Sequence, residues 1–78
     1  MTIELNNTVR AEALALAPVS ASVLLDRADA DAVISQAIVL HGGEEGCAAA
    51  LAQEFGEHPE LAVQRMRWAS SIVGRLYG

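Results

Sequence analysis

The hydrophobic positions in the last twenty residues of the chain follow a helical period. Between Pro59 and Gly78 the apolar side chains cover about half of the helix circumference, more than the roughly 100° of an ordinary surface helix. This arc consists of Leu61, Ala62, Met66, Trp68, Ala69, Ile72, Val73, Leu76 and Tyr77. The pattern predicts one long C-terminal helix whose apolar face is too wide for a small domain to cover by itself.

Arg65 falls in the middle of this apolar arc, whereas Arg67 falls on the polar side of the same helix. Breaking a buried charge pair costs of order 3–5 kcal/mol, so a guanidinium in this position needs a partner. We expect Arg65 to bind a carboxylate or backbone carbonyl groups, either inside the fold or on another chain.

Two short helices are predicted before residue 26. Asn6, Asn7 or Thr8 can cap the first, which runs to about Ala17 and ends at Pro18. Its apolar side is formed by Val9, Ala13 and Leu16. The second helix would be capped by Ser20 or Ser22 and would carry Val23, Leu24 and Leu25.

A third helix is expected to start at Asp29 or Asp31, within a polar break that also contains Asp26. Its shared face is formed by Val33, Ile34, Ala37, Ile38, Leu40 and His41, while Ala32 and Val39 point elsewhere. A helix that is apolar nearly all round is expected at the centre of a fold. A buried strand over residues 34–40 is the competing interpretation, and helix is favoured because no second strand exists to pair with it.

Glycines and a proline separate the last two helices from the rest. Gly42 and Gly43 predict a helix end, because glycine readily adopts the left-handed conformation found there. Glu44 and Glu45 then open a fourth helix, at the end where negative charge interacts favourably with the helix dipole. Its buried stripe is expected to be Cys47, Ala48, Leu51, Ala52 and Phe55. Gly56 is expected to close it, with Pro59 in the first turn of the final helix.

The fold predicted from these patterns is an all-α single domain spanning residues 1–78. It is a compact bundle of four or five helices with a long C-terminal helix, and its third and final helices pack at the centre. Fifteen of the 78 residues are alanine, which favours helix but contributes little buried area. The core is therefore thin, and oligomerisation is one common remedy.

The formal net charge of −5 disfavours non-specific attraction to nucleic acid or to an anionic membrane. Residues 1–58 sum to −7 and residues 59–78 to +2. A lone cysteine, Cys47, cannot form an intramolecular disulfide, and the N-terminal residues lack the pattern of a secretory signal. No apolar run approaches the roughly 18–20 residues that cross a bilayer. The sequence thus predicts a cytoplasmic protein with no membrane span.

Part of the segment 47–68 resembles the helix-turn-helix of DNA-binding proteins. Ala52 stands four residues before Gly56, as the close crossing of two helices requires, and Leu51, Phe55 and Ala62 match buried positions of the motif. The residues that would face the DNA groove are His58, Glu60, Val63, Gln64 and Arg67. Glu57 and Arg65 depart from the motif, which has apolar residues at both positions.

No catalytic, cofactor or metal site is predicted. His41, Cys47 and His58 match no familiar zinc spacing. The serines have no evident base and orienting acid, and no pair of carboxylates stands out for acid–base chemistry.

The function predicted from the sequence is a small acidic, non-enzymatic interaction module that regulates or adapts an unidentified protein partner. It is expected to form a homodimer through the final helix, with Arg65, Trp68, Ile72, Val73, Leu76 and Tyr77 at or near the contact. The alternative is a DNA-binding regulator that uses the helix-turn-helix of residues 47–68.

Overall fold

The structure is a computed structural model that describes residues 5–78. These residues form four helices: α1 (Asn7–Leu16), α2 (Arg27–Leu40), α3 (Glu44–Glu57) and α4 (Pro59–Tyr77). The all-helical fold and the long C-terminal helix are confirmed. Residues 34–40 lie in α2, so the helical interpretation of that segment was right. No helix within residues 5–78 is long and apolar enough to cross a membrane.

Side-chain caps set the starts of the first two helices. The Asn6 Oδ1 accepts a hydrogen bond from the Val9 backbone N–H at 2.9 Å, so the first of the three expected candidates caps α1. The Asp26 Oδ1 accepts from the Asp29 N–H at 2.8 Å. The expected start of α2 at Asp29 or Asp31 was therefore wrong, because the carboxylate of Asp26 satisfies a free N–H of the first turn and lets the helix begin earlier.

The short helix expected over residues 20–25 is absent, and a turn takes its place. The Ser20 Oγ accepts from the Ser22 N–H at 3.2 Å and also bonds the Ser22 hydroxyl at 2.8 Å. Serine hydroxyls that bond nearby backbone groups stabilise turns at the expense of helices. Leu25 is buried in the core, but Leu24 is 87 % exposed.

The first helix, and not α2 with α4, occupies the centre of the bundle. α1 packs against all three other helices, while α2 and α4 make the least contact with each other. Ala13 and Leu14 are completely buried. The third predicted helix, which is α2 in the structure, was expected to pack with α4 at the centre. This prediction was wrong, because α1 carries alanines at positions 11, 13 and 15, which let neighbours approach it from several sides.

The second helix buries only part of the face assigned to it. Ile34 and Ala37 are buried and Val33 and Ile38 are half-buried, as expected. Leu40, however, is 75 % exposed, and Val39 beside it is 81 % exposed.

Two successive glycines turn the chain between α2 and α3. Gly42 has φ 81° and Gly43 has φ 101°, both in the left-handed region, which confirms the predicted helix end. The Gly43 N–H donates to the Ile38 carbonyl at 2.8 Å. A third glycine, Gly46, lies so close to the preceding helix end that a Cβ there would come within 1.6 Å of the His41 carbonyl oxygen.

The buried side of α3 differs from the buried stripe predicted for this helix. Cys47 and Leu51 are buried, but Ala48, Ala52 and Phe55 are exposed. α1 and α4 cover the side of α3 that carries Cys47, Leu51 and the half-buried Ala50 and Glu54. The apolar residues on its other sides are left to solvent.

Pro59, and not Gly56, determines where α3 ends. α3 continues through Gly56 to Glu57, so the expected stop at Gly56 was wrong. His58 alone separates α3 from α4, with φ −138° and ψ 66°. A residue that precedes proline is disfavoured in the helical conformation, so Pro59 forces the break one residue before itself.

Candidate functional site

Arg65 binds the end of α1 through hydrogen bonds to four backbone carbonyls. Its Nε donates to Ala15 at 3.0 Å, and its Nη1 donates to Val19 at 2.7 Å. Its Nη2 donates to Ala17 at 2.8 Å and to Leu14 at 3.4 Å. Leu14 and Ala15 belong to the last turn of α1, Ala17 is its C-cap, and Val19 follows the helix. The Leu14 and Ala17 carbonyls also accept from the backbone N–H groups of Ala17 and Val19. The predicted partner of Arg65 thus lies inside the fold and consists of carbonyl groups.

The surroundings of Arg65 fix the guanidinium in place. Its central carbon lies 4.4 Å from the centre of the Trp68 ring, a cation–π contact one turn along α4. Burial lowers the pKa of Arg65 from its usual value. Four of its five N–H donors are already committed to carbonyls, which leaves little capacity to bind an external anion.

The residues expected at a dimer contact lie mostly against the bundle's own core. Ile72 is 8 % exposed and Val73 is 2 % exposed, while Trp68, Leu76 and Tyr77 are half-buried. The expectation that part of this arc stays exposed in the monomer applies to its edges, because α1 lies along α4 and covers the centre of the arc. Self-association through α4 stays a prediction, with only the edges of the arc at the surface.

Tyr77 joins the C-terminal end of α4 to the starts of α1 and α2. Its hydroxyl donates a hydrogen bond to the Asp31 carboxylate. The guanidinium groups of Arg10 and Arg27 lie 4.3 and 4.8 Å from the centre of its ring. Burial, followed by the hydrogen bond and the negative charge of Asp31, raises the pKa of Tyr77 to about 12. This cluster locks the end of the chain onto the bundle.

A cleft of about 480 Å³ lies between α1, α3, α4 and the end of α2. Its lining residues are Ala15, Leu16, His41, Ala50, Leu51, Gln53, Glu54, Leu61, Ala62 and Arg65. Leu61 is 54 % exposed at its edge. Glu54 is its only carboxylate, and the one cation, Arg65, already donates to backbone. The cleft therefore suits an apolar group that carries a positive charge.

The negative charge of the protein is concentrated in the segment of the chain that supplies Glu54 to this cleft. Residues 44–64, which we call the acidic segment, contain five glutamates and no arginine or lysine. The remainder of the chain has five acidic and five basic residues, so the acidic segment accounts for the whole net charge of −5. The Gln53 amide, in the lining of the cleft, donates to the Glu57 carboxylate at 3.0 Å. This hydrogen bond holds a second carboxylate one turn beyond Glu54.

Neither the cleft nor its charge was anticipated from the sequence, although the uncompensated glutamates of residues 44–64 were a visible signal. The cleft forms from the ends of helices that are distant along the chain. Its apolar walls include Leu16, Leu51 and Leu61, which the sequence assigned to separate helical faces.

The five residues expected at a DNA groove lie on the first half of α4 and beside it. His58, Glu60, Val63, Gln64 and Arg67 are all exposed. Only some of the residues that the motif requires in its interior are buried. Leu51 and Ala62 are buried as the motif requires, whereas Ala52 is exposed and Phe55 is 39 % exposed.

The turn also differs from the glycine turn that the resemblance implies. Gly56 does not have a positive φ, and only His58 separates the two helices. The two helices therefore meet through a proline break.

The reactive side chains are dispersed. Cys47 is fully buried, its thiol lies 3.9 Å from the Ala37 carbonyl oxygen, and burial, together with the nearby Glu12 carboxylate, raises its pKa. His41 lines the cleft and His58 lies in the break between α3 and α4. Within residues 5–78 no three histidine, cysteine or carboxylate side chains converge as a metal-binding group.

Comparison of the chain with protein-family models, with curated proteins and with solved structures found no match.

Proposed function

We propose that this protein is a small non-enzymatic interaction module that binds a basic, apolar segment of a partner protein at the cleft. The observation that carries the proposal is a cleft with apolar walls whose carboxylate, Glu54, belongs to a segment without arginine or lysine, and whose arginine, Arg65, already donates to backbone carbonyls. Burial of apolar side chains would supply affinity, and the carboxylates would select a positively charged partner and steer its approach.

The shape of the cleft supports a helix or short peptide as the bound element. Leu61 is exposed at the edge of the cleft, and Leu16 and Leu51 form walls on α1 and α3. Grooves lined by apolar residues from several helices commonly take the apolar face of an amphipathic helix. A lysine or arginine on the flank of that helix would reach Glu54 or Glu57.

Charge also ranks this proposal above DNA binding. The exposed face of α4 that would enter a groove lies in or next to the acidic segment, with Glu60 among the groove residues and Arg67 as the cation. A protein gains most of its affinity for DNA by neutralising phosphates with several lysines or arginines. The helix-turn-helix function therefore remains the alternative, and duplex binding is one outcome of the test.

The test uses a fluorescein-labelled synthetic helical peptide of leucine and lysine, with a leucine–glutamate peptide and a short DNA duplex as comparisons. Fluorescence anisotropy at low and physiological salt measures binding. We expect the protein to bind the leucine–lysine peptide more weakly as salt rises, and not to bind the other two probes.

Three variants distinguish peptide binding at the cleft from non-specific attraction between opposite charges. Glu54→Gln should weaken peptide binding about twofold to fivefold, since an exposed ion pair contributes up to about 1 kcal/mol. Leu61→Ser should weaken it as well, without changing the charge. Glu45→Gln is the matched control, because nine residues at 3.6 per turn place Glu45 on the opposite side of α3 from Glu54.

Equal losses for Glu45→Gln and Glu54→Gln would contradict a specific cleft. Binding of the leucine–glutamate peptide would contradict the role of charge. Tight duplex binding that Gln64→Ala or Arg67→Ala abolishes would establish the alternative function instead.

A further inference from the structure

The outward side of the last nine residues of α2, residues 32–40, carries no charged side chain. Residues 32–43 contain no aspartate, glutamate, lysine or arginine. The exposed side chains of this part of the helix are Ala32, Ser35, Gln36, Val39 and Leu40. Their spacing of three, four, seven and eight residues from Ala32 places them on one side of the helix. We call these five residues the neutral face.

Two large apolar groups stand out on the neutral face. Val39 is 81 % exposed and Leu40 is 75 % exposed, which are among the highest values for large apolar side chains in the described residues. Together with Ser35 and Gln36 they line a shallow depression of about 380 Å³. No other part of the described chain covers this depression.

We propose that the neutral face pairs with the neutral face of a second copy of this chain in a symmetric dimer. In a two-fold contact the same patch is present on both sides, so a patch with a net charge meets a patch of the same net charge. The neutral face avoids that repulsion, although the chain as a whole has a net charge of −5. A basic partner would find no carboxylate there.

The charges that flank the neutral face determine the direction of pairing. Asp29 is exposed one turn before Ala32 and on the same side of α2. Parallel pairing would bring the two copies of Asp29 together. Antiparallel pairing about an axis near Ser35 and Gln36 separates them by about 20 Å along the helix, beyond the Debye length of about 8 Å at physiological salt.

Antiparallel pairing also matches the apolar groups. With the axis in that position, Val39 lies opposite Ala32 of the second copy, so a large side chain meets a small one. Asp29 lies opposite Gly42 of the second copy, where no acidic side chain is present. The helix dipoles are then antiparallel, which is the favourable arrangement.

This proposal moves the expected dimer contact from α4 to α2. The apolar residues at the centre of the α4 arc, such as Val73, are buried against α1, whereas Val39 and Leu40 are open to solvent. The contact also differs from the cleft in its response to salt. Peptide binding at the cleft should weaken with salt, but pairing of two uncharged faces should not, so either proposal can fail while the other stands.

Sedimentation equilibrium over micromolar to submillimolar concentrations tests the contact. The wild-type chain should dimerise, and Val39→Glu or Leu40→Ser should raise the dissociation constant at least tenfold. Val63→Glu is the matched control, because Val63 is an exposed valine on α4 and its substitution should leave the dimer intact. Circular dichroism checks that each variant is folded. A wild-type monomer throughout this range, or a dimer that survives both α2 changes, would overturn the proposal.

Disulfide formation tests the direction of pairing. Gln36→Cys places a thiol next to the two-fold axis and should cross-link the dimer on mild oxidation. Ala32→Cys should cross-link poorly with itself, because antiparallel pairing separates the two positions by about 10 Å along the helix. The native Cys47 is fully buried and should not compete. More efficient cross-linking through Ala32→Cys than through Gln36→Cys would contradict the antiparallel arrangement.

Discussion

The guanidinium of Arg65 lies 2.8 Å from the backbone carbonyl oxygen of Ala17, although 48 residues separate the two along the chain. Through this bond and three others, α4 supplies hydrogen-bond donors to the carbonyls at the end of α1 and just after it. A side chain from the last helix thus acts as the C-terminal cap of the first. The same contact places Arg65 in the wall of the cleft as a structural group.

Replacement of Arg65 should therefore cost stability. We expect Arg65→Met to lower the free energy of unfolding by about 2–3 kcal/mol, because hydrogen bonds from a charged donor contribute about 1.5–3 kcal/mol and four carbonyls lose this donor. Arg67→Met, at an exposed position on the same helix, should change it by less than about 0.5 kcal/mol. Urea denaturation followed by circular dichroism measures both. Equal, near-zero effects would mean that water replaces the guanidinium at no cost.

The two glycines within α3 should respond to alanine in opposite directions. A Cβ at Gly46 would lie 1.6 Å from the His41 carbonyl oxygen, and that backbone must move to admit it. We expect Gly46→Ala to destabilise the fold by about 1–3 kcal/mol. Gly56 has open space around it, so Gly56→Ala should stabilise by about 0.5–1 kcal/mol through helix propensity. Thermal denaturation of the two variants measures both changes. A Gly46→Ala protein as stable as the wild type would show that Gly46 and the His41 carbonyl are farther apart than in this structure.

Ionisation of Tyr77 should be delayed in the folded protein. The pKa of Tyr77 is raised to about 12 from the usual value of 10, so its contribution to stability is complete below pH 10 and is lost as the pH rises toward 12. Because the chain has one tyrosine, absorbance titration reports this group alone. Asp31→Ala removes the acceptor and the charge and should lower the pKa. An unchanged midpoint in that variant would mean that burial alone sets the value.

The thiol of Cys47 should react slowly with reagents in the folded protein. Burial, with a smaller contribution from Glu12, raises its pKa, and the side chain is fully enclosed. Both effects suppress the thiolate that reacts. Labelling by an aromatic disulfide reagent should follow the fraction of unfolded protein across a urea titration. A Ser71→Cys protein offers the control, since Ser71 is exposed on α4 and the added thiol should react at once.

The sequence by itself determined the helical fold, the glycine end of α2 and the position of the long final helix. These features depend on spacing along one segment, on caps and on the backbone preferences of glycine and proline, all of which are local. It also determined that Arg65 needs partners, because an apolar arc around a guanidinium leaves no other favourable arrangement. It did not determine that those partners are the carbonyls of α1.

Only the tertiary structure decided which helix is central and which apolar residues remain exposed. Alanine-rich helices carry small apolar groups on several sides, so the pattern does not distinguish the buried side from the exposed one. α1 is central because neighbours can approach its alanines closely, and α2 keeps Val39 and Leu40 in solvent because only one of its sides meets α1 and α3. The cleft could not be derived from the sequence, because Leu16, Leu51 and Leu61 come together only after three helices have packed.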